Sequence, residues 1–341
     1  MARPVMAASQ RHHVRPRLFL RIEDEGVHGF GEVDPQPRGL NGDPSLAEVV
    51  AELSRYSLPQ LASVVQRESV LPAWSRVNRF AGSRPASAHA AALVEMALLD
   101  RELRADGCDI DSLWPARFVT PIQVTVSLLD LETPWELPPG TARVRVKTAP
   151  GALGSRALDR LGTLNRPILL DFNCSARDQA DVLDQVEQLG SVVTVALVEQ
   201  PFAVGNVIDH AALARRLDVA LSLDEGVRST RDLEQISRYR AAETVCIKPA
   251  RVGGVANART MVARAAELGL SAYLGGFFES PFARFVHRTL AQHCVNEPSD
   301  IGVIELSDRL AADSVTISRG GFGLAPSDEL LRNSHVVATL G

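Results

Sequence analysis

Lysine is almost missing from this chain. Of its 36 basic residues, 34 are arginine and only Lys147 and Lys248 are lysine. Arginine holds its proton near neutral pH, whereas a lysine that is buried or set beside another cation can lose it and act as a base. Cysteine is also scarce. Cys108, Cys174, Cys246 and Cys294 are widely spaced with no C-x-x-C pair, which argues against a disulfide frame or a thiolate zinc site and fits reduced thiols. The eight histidines form no ligand motif: His287 and His293 share one helical segment but stand six apart, not at the i, i+4 spacing of a helical metal pair. The net charge is −5 and no basic block is present, so nucleic acid is not an expected partner. No apolar run is long enough for a transmembrane helix, and the start, M-A-R-P-V-M-A-A-S-Q-R-H-H, has no continuous apolar core of a signal peptide. The expectation is a cytoplasmic protein without a membrane partner.

What is present is a long chain of ordinary globular composition, 341 residues at 45% hydrophobic and 23% charged. That length supports a large core and two domains. Residues 17–33 read as a hairpin turning at Gly26, and a Pro/Gly-rich loop follows at 34–46. Two helical stretches come next, L-A-E-V-V-A-E-L and the alanine- and leucine-rich segment that ends at Gly107. From about residue 117 the texture changes. Seven short apolar runs alternate with amphipathic segments, which implies a parallel sheet buried on both faces. The polar residues closing successive runs are Lys147, Asp171, Glu199, Asp224 and Lys248, at intervals of 24, 28, 25 and 24 residues. So even a period fits a repeated β/α unit closing into a barrel, whose functional groups lie at the C-terminal strand ends.

Ordered by strand, these residues run Lys, Asp, Glu, Asp, Lys. Three carboxylates on adjacent strands would repel one another unless a cation lay among them, and hard oxygen ligands suit Mg²⁺, with Mn²⁺ as the alternative. The flanking lysines would face each other across a small-molecule carboxylate, with their pKa values drawn down by the metal and by each other. This arrangement suits removal of the proton beside a carboxylate and stabilisation of the resulting enediolate. Asp224-Glu225-Gly226 taken alone could be a turn, and Lys248-Pro249 an exposed strand exit. The joint pattern is what points to a site.

At these residues the chain resembles the enolase superfamily, in its muconate-lactonizing subgroup, and most of all the o-succinylbenzoate synthases and N-acylamino acid racemases. The K-x-K element stands as Arg145-Val-Lys147, the first ligand and its Asn as Asp171-Phe-Asn173, and the others as Glu199-Gln200-Pro201, Asp224-Glu225, Lys248-Pro249 through Gly253-Gly254, and Gly275 through Glu279-Ser280. The resemblance spans nearly the whole chain. It implies a modified (β/α)7β TIM-like barrel at 117–314 beneath an N-terminal α+β capping domain at 1–116, completed by the tail 315–341, with the 34–46 loop as a lid. It implies Mg²⁺ on Asp171, Glu199 and Asp224, with Lys147 as base. Lys248 on the opposite face is a stabilising cation in a synthase or the second base in a racemase. Arg145, Asn173, Glu225, Gly253, Gly254, Glu279 and Ser280 would support the site or meet the substrate. The synthase activity is a hydro-lyase step of menaquinone biosynthesis; 1,1-proton transfer by a racemase or dipeptide epimerase uses the same residues. A catalytically inactive barrel serving as a binding module is the reading of another class. Three departures stand out: Arg145 replaces a lysine, Gly226 stands where relatives often carry Ser, and the three prolines of 130–140 oppose a first barrel helix. The segment F-F-E-S-P-F-A-R-F adds bulk near the substrate. Oligomeric state is not legible.

Overall fold

The computed structural model describes residues 5–7, 10–12, 16–65, 85–119, 121–128, 131, 135, 137–301, 315–317, 320–327 and 332. The chain opens with β1 (Val5–Ala7) and β2 (Gln10–His12), then the hairpin of β3 (Leu18–Asp24) and β4 (Val27–Val33). This is the hairpin expected at 17–33, turning at Gly26, whose φ of 76° suits glycine. Helix α1 (Leu46–Glu52) starts at a capping box between Ser45 and Glu48 and continues through a π-turn at Leu53–Ser57 into α2 (Leu58–Val65). The alanine-rich α3 (Pro85–Ala105) packs on β4, where Gly29 and Gly31 leave no room for a Cβ against its backbone. The short α4 (Ile110–Leu113) leads into the second half of the chain.

That half alternates as the apolar runs require. Strands β5 (Ile122–Ser127), β6 (Thr141–Lys147), β7 (Ile168–Asp171), β8 (Val195–Glu199), β9 (Ala220–Leu223), β10 (Thr244–Ile247) and β11 (Ser271–Leu274) form one parallel sheet in sequence order. Between and after them come α5 (Ser155–Gly162), α6 (Gln179–Gly190), α7 (Val207–Ala214), α8 (Thr230–Tyr239), α9 (Pro249–Val252), α10 (Val255–Glu267) and α11 (Pro281–Cys294). The sheet closes on itself. Ser299 and Asp300 bridge in parallel to Ile122 at one edge and Gly275 at the other, with Asp300 N–H donating to the Leu274 carbonyl. This closing segment takes the eighth strand's place, so the expected (β/α)7β barrel is the observed architecture. No described residue between β5 and β6 is helical, in keeping with the prolines there; residues 129, 130, 132–134 and 136 lie outside the described residues.

Alternation along each strand separates two cores. Ile168, Leu170, Val198, Leu221, Leu223, Val245, Ile247 and Leu274 point outward and pack with the helices in the main core. Leu169, Leu197, Cys246 and Tyr273 form a separate cluster, and in strand parity they match the inward residues Asp171, Glu199 and Lys248. Burying a leucine of this kind contributes about 1.5–3 kcal/mol. The inward row therefore changes from apolar to ionic towards the C-terminal strand ends. Late in the chain β12 (Val315–Ile317) pairs with β13 (Leu324–Pro326). The rest of the 315–341 tail, 320–323, 327 and 332 aside, lies outside the described residues.

Candidate active site

Strand register sets the site. Lys147 ends β6 directly opposite Asp171 on β7, and Asp171 lies opposite Glu199 on β8. Glu199 pairs with Ser222, which puts Asp224 one inward position further along the next strand. Lys248 follows β10 on the same side. All five residues closing the apolar runs therefore converge at one mouth. Asp171, Glu199 and Asp224 are fully buried, so their charges demand partners.

The lysines answer different carboxylates. Lys147 Nζ donates to Asn173 Oδ1 at 2.8 Å and Asp171 Oδ2 at 3.2 Å. Lys248 Nζ donates to Asp224 Oδ2 at 2.8 Å and lies 5.0 Å from the Phe277 ring centroid. Burial pulls the Lys248 ammonium down, but the Asp224 carboxylate outweighs it and leaves the pKa raised. With the carboxylate in contact, ion pairing dominates. Asp224 is held well below the carboxylate range, since Lys248, Arg251 and Arg145 together overcome its burial. Glu199 is pushed up to about 8 by burial, with Asp171 and Asp224 adding to the rise and Arg145 opposing it. Tyr273 Oη donates to Glu199 Oε2.

The residues named as supports divide. Asn173, at φ 45°, donates its N–H to Asp171 Oδ1 at 2.9 Å and its amide to Glu225 Oε1 at 3.2 Å. A left-handed non-glycine residue here, with Gln200 at φ 38° on the next strand, marks a constrained rim. Gln200 Oε1 accepts from Asp224 N–H at 2.9 Å. Gly253, at φ 94°, ends α9, and Gly254 lets Glu95 of α3 cap α10 through the Val255 and Ala256 N–H groups. Glu279 accepts from Phe277 N–H at 2.7 Å, and Ser280 caps α11 while binding Glu32 of β4 at 2.6 Å through its N–H. Ser280 thereby faces the hairpin.

Several residues not singled out beforehand complete the site. Arg251, the largest fully buried side chain, donates to both carboxylate oxygens of Asp43, at 2.8 and 2.7 Å, and to Asp224 Oδ1 at 2.5 Å. The 34–46 loop thus reaches the mouth, where Asn41 also donates to the Asn173 carbonyl at 3.0 Å. Asp300, on the closing segment, accepts from Arg145 Nη1 at 2.5 Å and Thr125 Oγ1 at 2.8 Å.

The three carboxylates are hard oxygen donors, the kind of ligand a divalent ion takes. One oxygen of each is turned to a common point, and that point carries a cation, Arg145 Nη2. It lies 2.9 Å from Asp171 Oδ2 and 3.4 Å from Asp224 Oδ2, and it is bonded to Glu199 Oε1. Among the described residues no group of three or more His, Cys, Asp or Glu is arranged to hold a metal ion; at this triad the guanidinium lies between the acids.

A closed parallel barrel with three acids and two lysines on successive strand ends defines the class, and comparison with known proteins agrees. The Enolase C-terminal domain-like family matches residues 140–322. The chain belongs to the enolase superfamily of enzymes. An o-succinylbenzoate synthase of Enterococcus faecalis is 27% identical over 299 residues, 84% of this chain and 79% of that protein. An N-succinylamino acid racemase of Amycolatopsis is 29% identical over 345 residues, 93% and 89% of the two chains. The solved N-succinyl Arg/Lys racemase of Bacillus cereus superposes with a TM-score of 0.77 at 17% identity, covering 96% of this chain and 93% of its own, a likeness of fold.

Proposed function

We propose that the chain is an o-succinylbenzoate synthase of menaquinone biosynthesis, acting in the cytoplasm on a succinyl-hydroxycyclohexadiene carboxylate. The observation that carries this reading is that the chain's two lysines stand at the mouth, on strands flanking those of the three acids, in a protein that otherwise writes positive charge as arginine. Mg²⁺ held by Asp171, Glu199 and Asp224 would supply Lewis-acid stabilisation of the negative charge gained by the substrate carboxylate. Lys147 Nζ, as neutral amine, takes the α-proton. The Lys147 ammonium then gives that proton to the departing hydroxyl on the same face, so water leaves, the ring becomes aromatic and the amine is regenerated. Lys248, kept cationic by Asp224, stabilises the enediolate from the opposite face. Asn173 fixes Lys147 through its Oδ1. The 34–46 loop, tied to Arg251 and Asn173, excludes water from the reacting carbon. The division into a capping domain, 1–116 with 315–341, and a barrel, 117–314, belongs to the same reading.

The second reading is 1,1-proton transfer on an N-acylated amino acid, with Lys248 as the second base. The long alignment with the Amycolatopsis racemase favours it. Proton NMR of the purified protein with Mg²⁺ and the cyclohexadiene substrate separates the two. Aromatisation at about 1–100 s⁻¹ supports the synthase. Its absence, together with α-proton exchange into N-succinyl amino acids in deuterated water, moves the assignment to the racemase. Absence of both reactions supports a binding module.

A further inference from the structure

Arg145 lies one inward position below Lys147 on β6, with its side chain 3% exposed. Its Nη2 is within ion-pair distance of all three acids, while Nη1 is held separately by Asp300. The guanidinium is not fully satisfied in this position. Its Nε is buried and has no hydrogen-bond partner among the described residues. One end of the group is anchored at the closing segment and the other is inserted into the triad, a geometry that lets Nη2 withdraw while the contact to Asp300 persists. The burial of the charge is offset by Asp171, Glu199, Asp300 and Asp224 together, so the folded chain already carries a cation at the triad.

We propose that Arg145 is a resident cation that competes with the divalent ion for the Asp171–Glu199–Asp224 position, and that an ion enters only as Nη2 withdraws towards Asp300. A binding-competent state that is only partly populated weakens apparent affinity by that fraction. This chain therefore binds Mg²⁺ or Mn²⁺ more weakly than the same barrel without the guanidinium, and keeps its acids partnered when no metal is bound. The inference rests on the proposed role of the three acids as the cation site but not on the identity of the substrate.

The test is Mn²⁺ titration, read by electron paramagnetic resonance, of the full chain and of Arg145→Met. Melting of both proteins is measured with and without MgCl2. The expected result is an Mn²⁺ Kd at least about tenfold tighter in Arg145→Met, within the range usual for coupled sites, and a larger metal-induced rise in its melting temperature. Equal Kd values and equal rises overturn the competition and leave the metal site standing. Binding to neither protein overturns both. If Arg145→Met does not fold without metal, recovery of folded protein on refolding with Mn²⁺ supports the inference, and failure with Mn²⁺ turns the decision to the wild-type chain crystallised with MnCl2. Manganese among the three acids with the guanidinium drawn back to Asp300 supports the proposal; a guanidinium still seated in the triad overturns it.

Discussion

Asp43→Asn tests whether the 34–46 loop is fastened to the barrel by charge. Asp43 accepts from Arg251 on both oxygens and from Arg228 Nη2 at 3.2 Å, with side-chain exposures of 4% for Asp43 and 1% for Arg251. Asparagine is nearly isosteric but must turn an NH₂ group towards one of these donors, leaving a buried guanidinium short of its counter-charge. Breaking a buried pair from one side costs about 3–5 kcal/mol. Arg251 keeps its bonds to Asp224 at 2.5 and 3.0 Å, which places the loss at about 3 kcal/mol, the low end of that range. An unfolding entropy of about 2.1 cal/mol/K per residue gives this chain roughly 0.7 kcal/mol/K, so the melting temperature should fall by about 4 °C. Hydrogen exchange adds a local readout: the paired amides of Leu40 and Asp43 should lose protection before the barrel strands do. Arg177→Ala, which removes a pair between an exposed arginine and Asp181, is the control and should move the melting temperature by less than about 1 °C. If Asp43→Asn behaves like the control in both measurements, the loop is held by its own turn and the ionic fastening is refuted.

Lys147→Arg should lower turnover by at least about 10²–10⁴, the usual worth of a positioned base, while circular dichroism and Mn²⁺ binding persist; near-wild-type turnover would refute the base assignment. Treatment with EDTA should remove activity and added Mg²⁺ restore it, whereas activity indifferent to the chelator would count against the triad as a metal site. Burial lowers the His210 pKa, and the neutral ring is engaged on both sides, Nδ1 with the Asn206 carbonyl at 2.7 Å and Nε2 accepting from Phe202 N–H at 3.3 Å. The unfolded chain therefore binds a proton that the folded chain resists, and stability should fall as pH drops below about 6.5; urea titrations of His210→Gln should show a shallower fall, and an unchanged slope would remove His210 from the account. A Cβ at Gly254 would meet Glu95 Oε2 at 1.6 Å and take a φ of 132°. Gly254→Ala should thus displace the α10 cap and cost about 2 kcal/mol or more in urea unfolding, against about 1 kcal/mol at Gly107, where a Cβ meets nothing within 4 Å. Equal costs at the two positions would show that Glu95 yields freely.

The barrel was legible because burial on both faces forces largely apolar strands, and because the polar residue closing each run lands at the mouth. Lys147, Asp171, Glu199, Asp224 and Lys248 all followed from that one regularity. Asp300 obeyed it too. It stands 25 residues beyond Gly275, within the observed period, but its segment, E-P-S-D-I-G, is too short and polar to read as a strand. Arg251 and Asp43 were hidden for another reason. They sit 208 residues apart, and no local pattern tells a buried arginine from 33 others. Arg145 shares the inward parity of Lys147 on β6, yet its seat inside the triad depends on side-chain reach that register alone does not give.

The N-terminal elements grip the barrel at its mouth through polar ties. Glu95 of α3 caps α10, Glu32 of β4 binds the first residues of α11 through Ser280, Asp43 neutralises Arg251 and Arg228, and Asn41 meets Asn173 and Glu225. Three of these partners are carboxylates, set against helix N-termini or guanidinium groups, where an anion is stabilised and a missing one leaves buried donors unpaired. In a parallel barrel the helix N-termini and the strand C-termini share one face. The surface that most needs capping is therefore the surface that carries the chemistry. Folding of the N-terminal elements onto the barrel and closure over the site draw on the same contacts, and a substitution that weakens these ties should reach the reacting groups through Asp224 and Asn173 without touching either.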